Sequence, residues 1–305
     1  MFTLTVSPSS DGQDAGARTT GICVNDVLEI LHARTGVNFA SYRPAMLERR
    51  IAGHYATSGA TSSEDYLRRL QGSPAAAFRL LECITIKVSR FYRHAPTFDH
   101  LNDVLLGQLA HAGRSLRIWC AGCGTGEEAY TFSMLLERAG IDGFIEATDL
   151  DGTALNAARI GIYPIMATAE LPPALLARYL EPVVWRGEPA YRVYSGLRDR
   201  IRFSRHDVTS NAPPPGERRF DLVSCRNVLI YLQQAAQVET IERLLGATEE
   251  DGVLCLGEAE WPLPQFAATL LPLPHKTRMF RVRRAQPFAA DHALNRAGLR
   301  AVARA

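Results

Sequence analysis

The segment Ala121-Gly122-Cys123-Gly124-Thr125-Gly126-Glu127-Glu128 is the densest concentration of potential chemistry in the chain. Glycine at every second position lets the backbone turn tightly and lets a ligand approach the main chain. The spacing is G-x-G-x-G, not the G-x-G-x-x-G of dinucleotide-binding turns. Glu127 and Glu128 follow at once, at a place where a helix N-terminus stabilises negative charge. The same charge repels a pyrophosphate. A cationic or zwitterionic ligand without phosphate suits the turn better; S-adenosylmethionine, with an ammonium, a carboxylate and a sulfonium, is one. Asp149 lies roughly 20 residues further on, where an acid can accept both ribose hydroxyls of an adenosine. A Gly-rich turn alone is also a purely structural device. Only its spacing to Glu128 and Asp149 points to a nucleoside.

Such a turn needs a strand before it and a helix after it. Residues 116–120 are a short, largely apolar, strand-like run, and residues 127–138 have helical spacing with Tyr130, Met134 and Leu135 inward. A second strand over 144–148 and a second helix over 151–160 repeat the unit. Further strands are expected at 201–203, 220–225 and 252–256, with an edge strand at 277–282. This alternation predicts an α/β fold with a parallel sheet covered on both faces. Residues 180–198 break the rhythm: Trp185, Tyr191, Val193 and Tyr194 surround Gly187 and Pro189, which reads as a small β insertion.

Residues 21–95 read as an all-helical domain. A first helix carries Val27, Leu28, Ile30 and Leu31 and stops at Gly36. A second carries Arg43, Arg49 and Arg50, and Ser62-Ser63 before Glu64-Asp65 caps a third. Residues 1–20 read as a disordered leader, 96–283 as the α/β domain and 284–305 as a tail.

Composition limits the function. Lys plus Arg number 34 against 32 Asp plus Glu, a net charge of +2, so bulk charge gives no argument for nucleic acid or a membrane surface. No apolar run reaches the ~18 residues of a membrane helix. The N-terminus lacks the basic-then-apolar layout of a signal peptide. Most of the six cysteines lie in apolar runs, which fits a reducing cytoplasm. Cys120 and Cys123 form a C-x-x-C without the second pair that a zinc reading requires. His54, His94 and His206 lack metal-like spacing.

Several segments, in order, resemble the CheR-type chemotaxis-receptor methyltransferases. They are Ile86-Lys87-Val88-Ser89-Arg90-Phe91-Tyr92-Arg93, the Gly122–Glu128 turn with Ile118-Trp119-Cys120 before it, and Ala147-Thr148-Asp149-Leu150-Asp151. Ala158-Arg159-Ile160-Gly161-Ile162-Tyr163, Phe220-Asp221-Leu222-Val223-Ser224-Cys225-Arg226-Asn227-Val228-Leu229-Ile230-Tyr231 and Gly257-Glu258-Ala259-Glu260 complete the set. The resemblance implies a Rossmann-like S-adenosylmethionine-dependent methyltransferase fold behind a helical domain, with a small antiparallel β insertion. It implies cofactor contacts from Lys87, Ser89, Arg93, Gly122, Gly124, Glu128, Asp149, Asp207, Val208, Arg226 and Asn227. Arg93 and Tyr231 would lie around the transferred methyl, and Arg43, Arg49 and Arg50 would meet the substrate. The substrate so implied is a glutamate-bearing helical cytoplasmic region of a chemoreceptor-like protein, met by a monomeric enzyme. Lys87 stands where many members have Asn or Gly, Asp207-Val208 where they have Asn-Leu, and Gly53-His54 where they have a later Arg pair. Those departures leave two alternatives: the same fold acting on another protein or a small molecule, or a non-catalytic cofactor-binding module.

Overall fold

The computed structural model describes residues 21–85, 89–102, 106–109, 114–216, 219–274 and 277–283. The chain divides into two compact units: residues 1–39 with 44–84, and residues 40–43 with 85–305. The leader and tail expected at 1–20 and 284–305 lie outside the described residues.

The first unit holds helices α1 (Val24–Thr35), α2 (Pro44–Thr57), α3 (Ser63–Gly72) and α4 (Pro74–Ile84). Gly36 ends α1 in the left-handed conformation that glycine adopts without strain. Ser62 caps α3 by accepting the Asp65 N–H at 3.2 Å. Val27, Leu31, Leu47, Ile51, Tyr66, Leu70, Ala77, Leu80 and Leu81 fill the core of this unit.

The second unit starts with α5 (Ala95–His100) and α6 (Leu106–Leu109). It continues with β1 (Leu116–Ala121), α7 (Glu127–Arg138), β2 (Gly143–Asp149), α8 (Gly152–Ile160) and β3 (Ile162–Pro164). Next come α9 (Pro173–Tyr179), β4 (Leu180–Trp185), β5 (Glu188–Val193) and β6 (Ile201–Arg205). β7 (Phe220–Cys225), α10 (Gln234–Ala247), β8 (Thr248–Leu256), β9 (Leu270–Pro272) and β10 (Met279–Val282) complete it. The main sheet has the order β6-β2-β1-β7-β8-β10-β9. Its first five strands are parallel, β10 runs antiparallel to β8, and β9 runs antiparallel to β10. The chain moves outward from β1 on one side, then returns to build the other side from β7. β1 is therefore the switch point, and ligands of open α/β sheets bind beyond the carboxyl ends of the strands there.

Three expectations need correction. The helical domain does not run to residue 95: the boundary falls between 84 and 85. Phe91, Tyr92 and Phe98 belong to the core cluster of the α/β unit, and Phe91 N–H donates to Ala167 O at 2.9 Å. The antiparallel insertion is larger than 180–198, because β3 pairs with β5 to give the order β3-β5-β4. The strand at 279–282 is not the edge: β9 pairs with its outer side.

Candidate active site

Four neighbouring parallel strands, β6, β2, β1 and β7, end on the same side of the sheet. β1 delivers the glycine turn, β2 ends in Asp149, Asp207 lies two residues past β6, and Arg226 follows β7. Most of the residues expected around a cofactor thus come together by topology.

The turn after β1 is fastened to β2: the N–H groups of Gly122 and Cys123 donate to Thr148 O at 2.7 and 2.9 Å. Gly122 has φ +75, and a Cβ there would lie 2.5 Å from Val228 Cγ2. Gly126 has φ +95, and a Cβ there would lie 2.8 Å from Ala158 Cβ. Both positions therefore require glycine. Tyr163 Oη donates to Thr125 O at 2.7 Å and supports the turn from the inserted sheet.

Glu128 sits in the first turn of α7. Its Oε2 accepts from Arg226 Nη1 at 2.8 Å and its Oε1 from Ser224 Oγ at 2.6 Å. Only 3% of the Arg226 side chain is exposed. Arg226 Nη2 donates to Arg93 O at 2.7 Å, and the guanidinium stacks over Phe98 with 5.1 Å from Cζ to the ring centre. Arg226 Nε is buried and has no hydrogen-bond partner among the described residues. Glu127 faces another environment. Thr125 Oγ1 lies 2.8 and 2.7 Å from its two oxygens, and the Ser89 side chain bonds to it as well. Burial pushes its carboxyl above the ordinary range, against the pull of these hydrogen bonds.

Asp149 Oδ2 accepts Gly124 N–H at 2.8 Å and Oδ1 accepts Asp151 N–H at 2.9 Å. Asp207 Oδ1 accepts from Thr209 N and Oγ1 at 2.8 and 2.7 Å, which folds a local turn. The acid where the family has Asn therefore serves a structural purpose here. Val208 beside it is buried.

Arg93 is flanked by two left-handed residues, Tyr92 (φ 59) and His94 (φ 66). Such backbone costs roughly 1 kcal/mol or more per residue and persists only where surroundings hold it. Tyr92 is buried with its hydroxyl on Asp99 Oδ1 at 2.9 Å, and His94 N–H donates to Glu170 Oε2 at 2.9 Å. Phe91 is a core aromatic packed edge-on against Tyr163. Lys87 lies outside the described residues.

Tyr231 ends a single 3₁₀ turn, Leu229–Tyr231. Its carbonyl accepts Arg43 N–H at 2.9 Å, and Arg43 Nε donates to Leu232 O at 3.0 Å. Arg43 thus precedes α2 and belongs to the α/β unit; only Arg49 and Arg50 are on α2. The reason is Pro44: the residue before a proline is biased toward extended backbone, and the proline then opens the helix. Arg49 is exposed and Arg50 half-buried.

Two residues of this region carry no expected role from sequence. Tyr42 bridges to Leu232, and burial, followed by the charges of Asp207 and Asp149, raises its phenol pKa. A lone tyrosine between two helices gives no periodic signal. Glu260 lies in the Gly257–Glu260 motif, but its contacts are not legible there. Cys120 and Cys123 are buried thiols held protonated by desolvation, and Cys120 Sγ donates to Glu128 Oε1 at 3.4 Å.

Comparison with known proteins gives the same picture. The family described as CheR methyltransferase, SAM binding domain, matches residues 87–268, and CheR methyltransferase, all-alpha domain, matches residues 24–85. A chemotaxis protein methyltransferase of Listeria monocytogenes is 31% identical over 74% of this chain and 84% of its own length. One of Borreliella burgdorferi is 27% identical over 77% and 86% respectively. An uncharacterized 104.1 kDa protein of Rhodobacter capsulatus is 33% identical over 90% of this chain, which spans 29% of that protein's length. The chain belongs to the CheR methyltransferase family, and S-adenosylmethionine is its cofactor.

Proposed function

We propose that this chain esterifies glutamate side chains on a helical cytoplasmic region of a chemoreceptor-like protein, acting in the cytoplasm. The buried Glu128–Arg226 pair carries the reading. The Glu128 carboxylate, oriented by the Arg226 guanidinium, suits the ammonium of a zwitterionic amino-acid moiety. Asp149, at the end of β2 beside the glycine turn, suits the two ribose hydroxyls. The acids at Glu127 and Glu128 suit a ligand without phosphates. Ser89, Gly122, Gly124, Val208 and Asn227 would line the remainder of the site.

When bound, the cofactor would supply an electrophilic methyl to an acceptor oxygen, the electron pair of the broken C–S bond staying on sulfur. A glutamate acceptor has an ordinary pKa near ~4.3, so it arrives ionised and no general base is needed. The work of the chain is then orientation and exclusion of water. Arg93, held by its two left-handed neighbours, and Tyr231, at the end of its 3₁₀ turn, would aim the acceptor carboxylate and the methyl group at one another. Arg49 and Arg50, with Arg43, would meet acidic residues of the acceptor.

A radiolabelled methyl assay tests this. Carboxyl methyl esters release label in mild base, whereas N-methyl groups keep it; base-stable label on the acceptor would reject the ester. A second reading, another protein or a small molecule as acceptor, draws on Gly53-His54 in place of the later Arg pair, with His54 Nδ1 engaged by Tyr66 Oη at 2.8 Å.

A further inference from the structure

Glu260 is 3% exposed, yet its carboxylate is not wasted on solvent. Oε2 accepts Asn227 N–H at 2.8 Å and Gly257 N–H at 2.6 Å, and Oε1 accepts Ile230 N–H at 3.2 Å. The Leu229 N–H bonds to it as well. A buried carboxylate is costly unless its lone pairs are filled. Here main-chain donors fill them, converging as in an anion-binding nest. Burial raises its pKa while these bonds pull it back down.

The donors belong to two segments that the sheet places side by side, the ends of β7 and β8. Asn227 is left-handed at φ 61, a conformation that asparagine tolerates better than other non-glycine residues and that the Glu260 carboxylate fastens through the Asn227 N–H. A Cβ on Gly257 would lie 2.6 Å from Glu260 Oε2, 2.8 Å from Asn227 N and 2.9 Å from Asn227 Nδ2, so no side chain fits. The glycine, the acid and the asparagine form one interlocked unit, and the chain leaves it directly into the Leu229–Tyr231 turn.

We propose that Glu260 is a positioning residue for methyl transfer, its carboxylate holding residues 227–231 in the shape that presents Asn227 and Tyr231. This rests on the reading that those two residues serve the reaction. Glu260→Gln keeps the volume but offers an amide N–H₂ where main-chain donors need an acceptor. Glu260→Asp keeps the charge on a shorter arm and serves as the conservative variant.

Hydrogen exchange and kinetics on the full chain test the proposal, using radiolabelled S-adenosylmethionine and a helical peptide with adjacent glutamates as acceptor. In Glu260→Gln, the amides of Asn227, Ile230 and Gly257 should exchange about tenfold faster or more, while those of β1 and α7 keep their protection. The kcat should fall by about tenfold, the affinity for S-adenosylhomocysteine by less than kcat because Asn227 is only one of several cofactor contacts, and Glu260→Asp should fall between the two proteins. If Glu260→Gln does not fold, Glu260→Asp carries the same measurements. Local loosening with unchanged kcat would overturn the proposal, as would an equal loss of protection through β1 and α7. A wild-type chain that esterifies no acceptor would instead defeat the function reading, and the Glu260 clamp would then stand or fall on the exchange of its three amides.

Discussion

Glu127 and Glu128 are adjacent in sequence and opposite in circumstance. Glu128 is paired with a buried arginine, so its removal strands a positive charge. Glu128→Gln should weaken S-adenosylhomocysteine binding by about tenfold or more and cost about 3–5 kcal/mol of stability, as read by calorimetry and urea unfolding. Glu127 has its carboxyl pushed up by burial. The folded protein therefore holds a proton there over a pH range in which the unfolded chain has lost it. Stability contributed by that group is complete below the ordinary carboxylate pKa and is lost as pH rises through the raised one. Glu127→Gln, which mimics the protonated form, should unfold like wild type in acid and at higher urea than wild type at alkaline pH. A variant weaker than wild type at alkaline pH would show that the charge itself is needed. Tyr231→Phe should lower turnover and leave cofactor affinity nearly intact, because the hydroxyl is assigned to the reacting geometry. Equal losses in both would contradict that role.

Between the residues and the molecule stand the turns and strands, and here the glycines divide into two kinds. Gly126 and Gly140 are both left-handed, at φ +95 and +65. A Cβ on Gly126 meets Ala158, while one on Gly140 meets nothing within 4 Å. Gly140→Ala should cost only the backbone strain, about 1 kcal/mol. Gly126→Ala adds a clash inside the cofactor turn and should cost about 1–3 kcal/mol more. Urea unfolding of both variants checks the difference. The same turn shows what sequence can disclose. The strand-Gly-helix pattern of β1 and α7 and the acid ending β2 are local in sequence, so alternation and spacing reveal them. The Ser62 cap is local too. The strap at residues 40–43 is not: Gln233 N–H donates to Ser41 O at 2.9 Å, and Gln233 Nε2 reaches Ala40 O and Tyr42 O across nearly two hundred positions. One bridge of this kind leaves no periodicity. β3 and β9 are three-residue strands, too short for an alternation to register. The short helix Ala95–His100 follows the helical domain closely in sequence, and sequence position does not say which core a helix joins. The Glu128–Arg226 pair joins α7 to the end of β7, so the ends of the pair are legible as motifs and their contact is not.

At the scale of the whole chain, the proposal depends on recognising an acidic partner with a nearly neutral molecule. The net charge of +2 is too small to steer an acidic partner from a distance, so any attraction must be local. Arg49 is the plainest candidate, because it is exposed on α2, whereas Arg43 is hydrogen-bonded to Leu232 O and Arg50 is half-buried. Exposed charges are screened within about 8 Å at physiological ionic strength. Acceptor KM should therefore rise with salt in the wild-type chain, while kcat at saturating acceptor stays level. Arg49→Glu should raise the KM at low salt and flatten its salt dependence, since the attraction that salt screens has been replaced by repulsion. Cofactor affinity gives the internal control and should not move. An Arg49→Glu chain whose KM and salt profile match wild type would remove α2 from the acceptor surface. It would favour the second acceptor reading, in which the missing Arg pair at Gly53-His54 marks a surface no longer used for an acidic receptor helix.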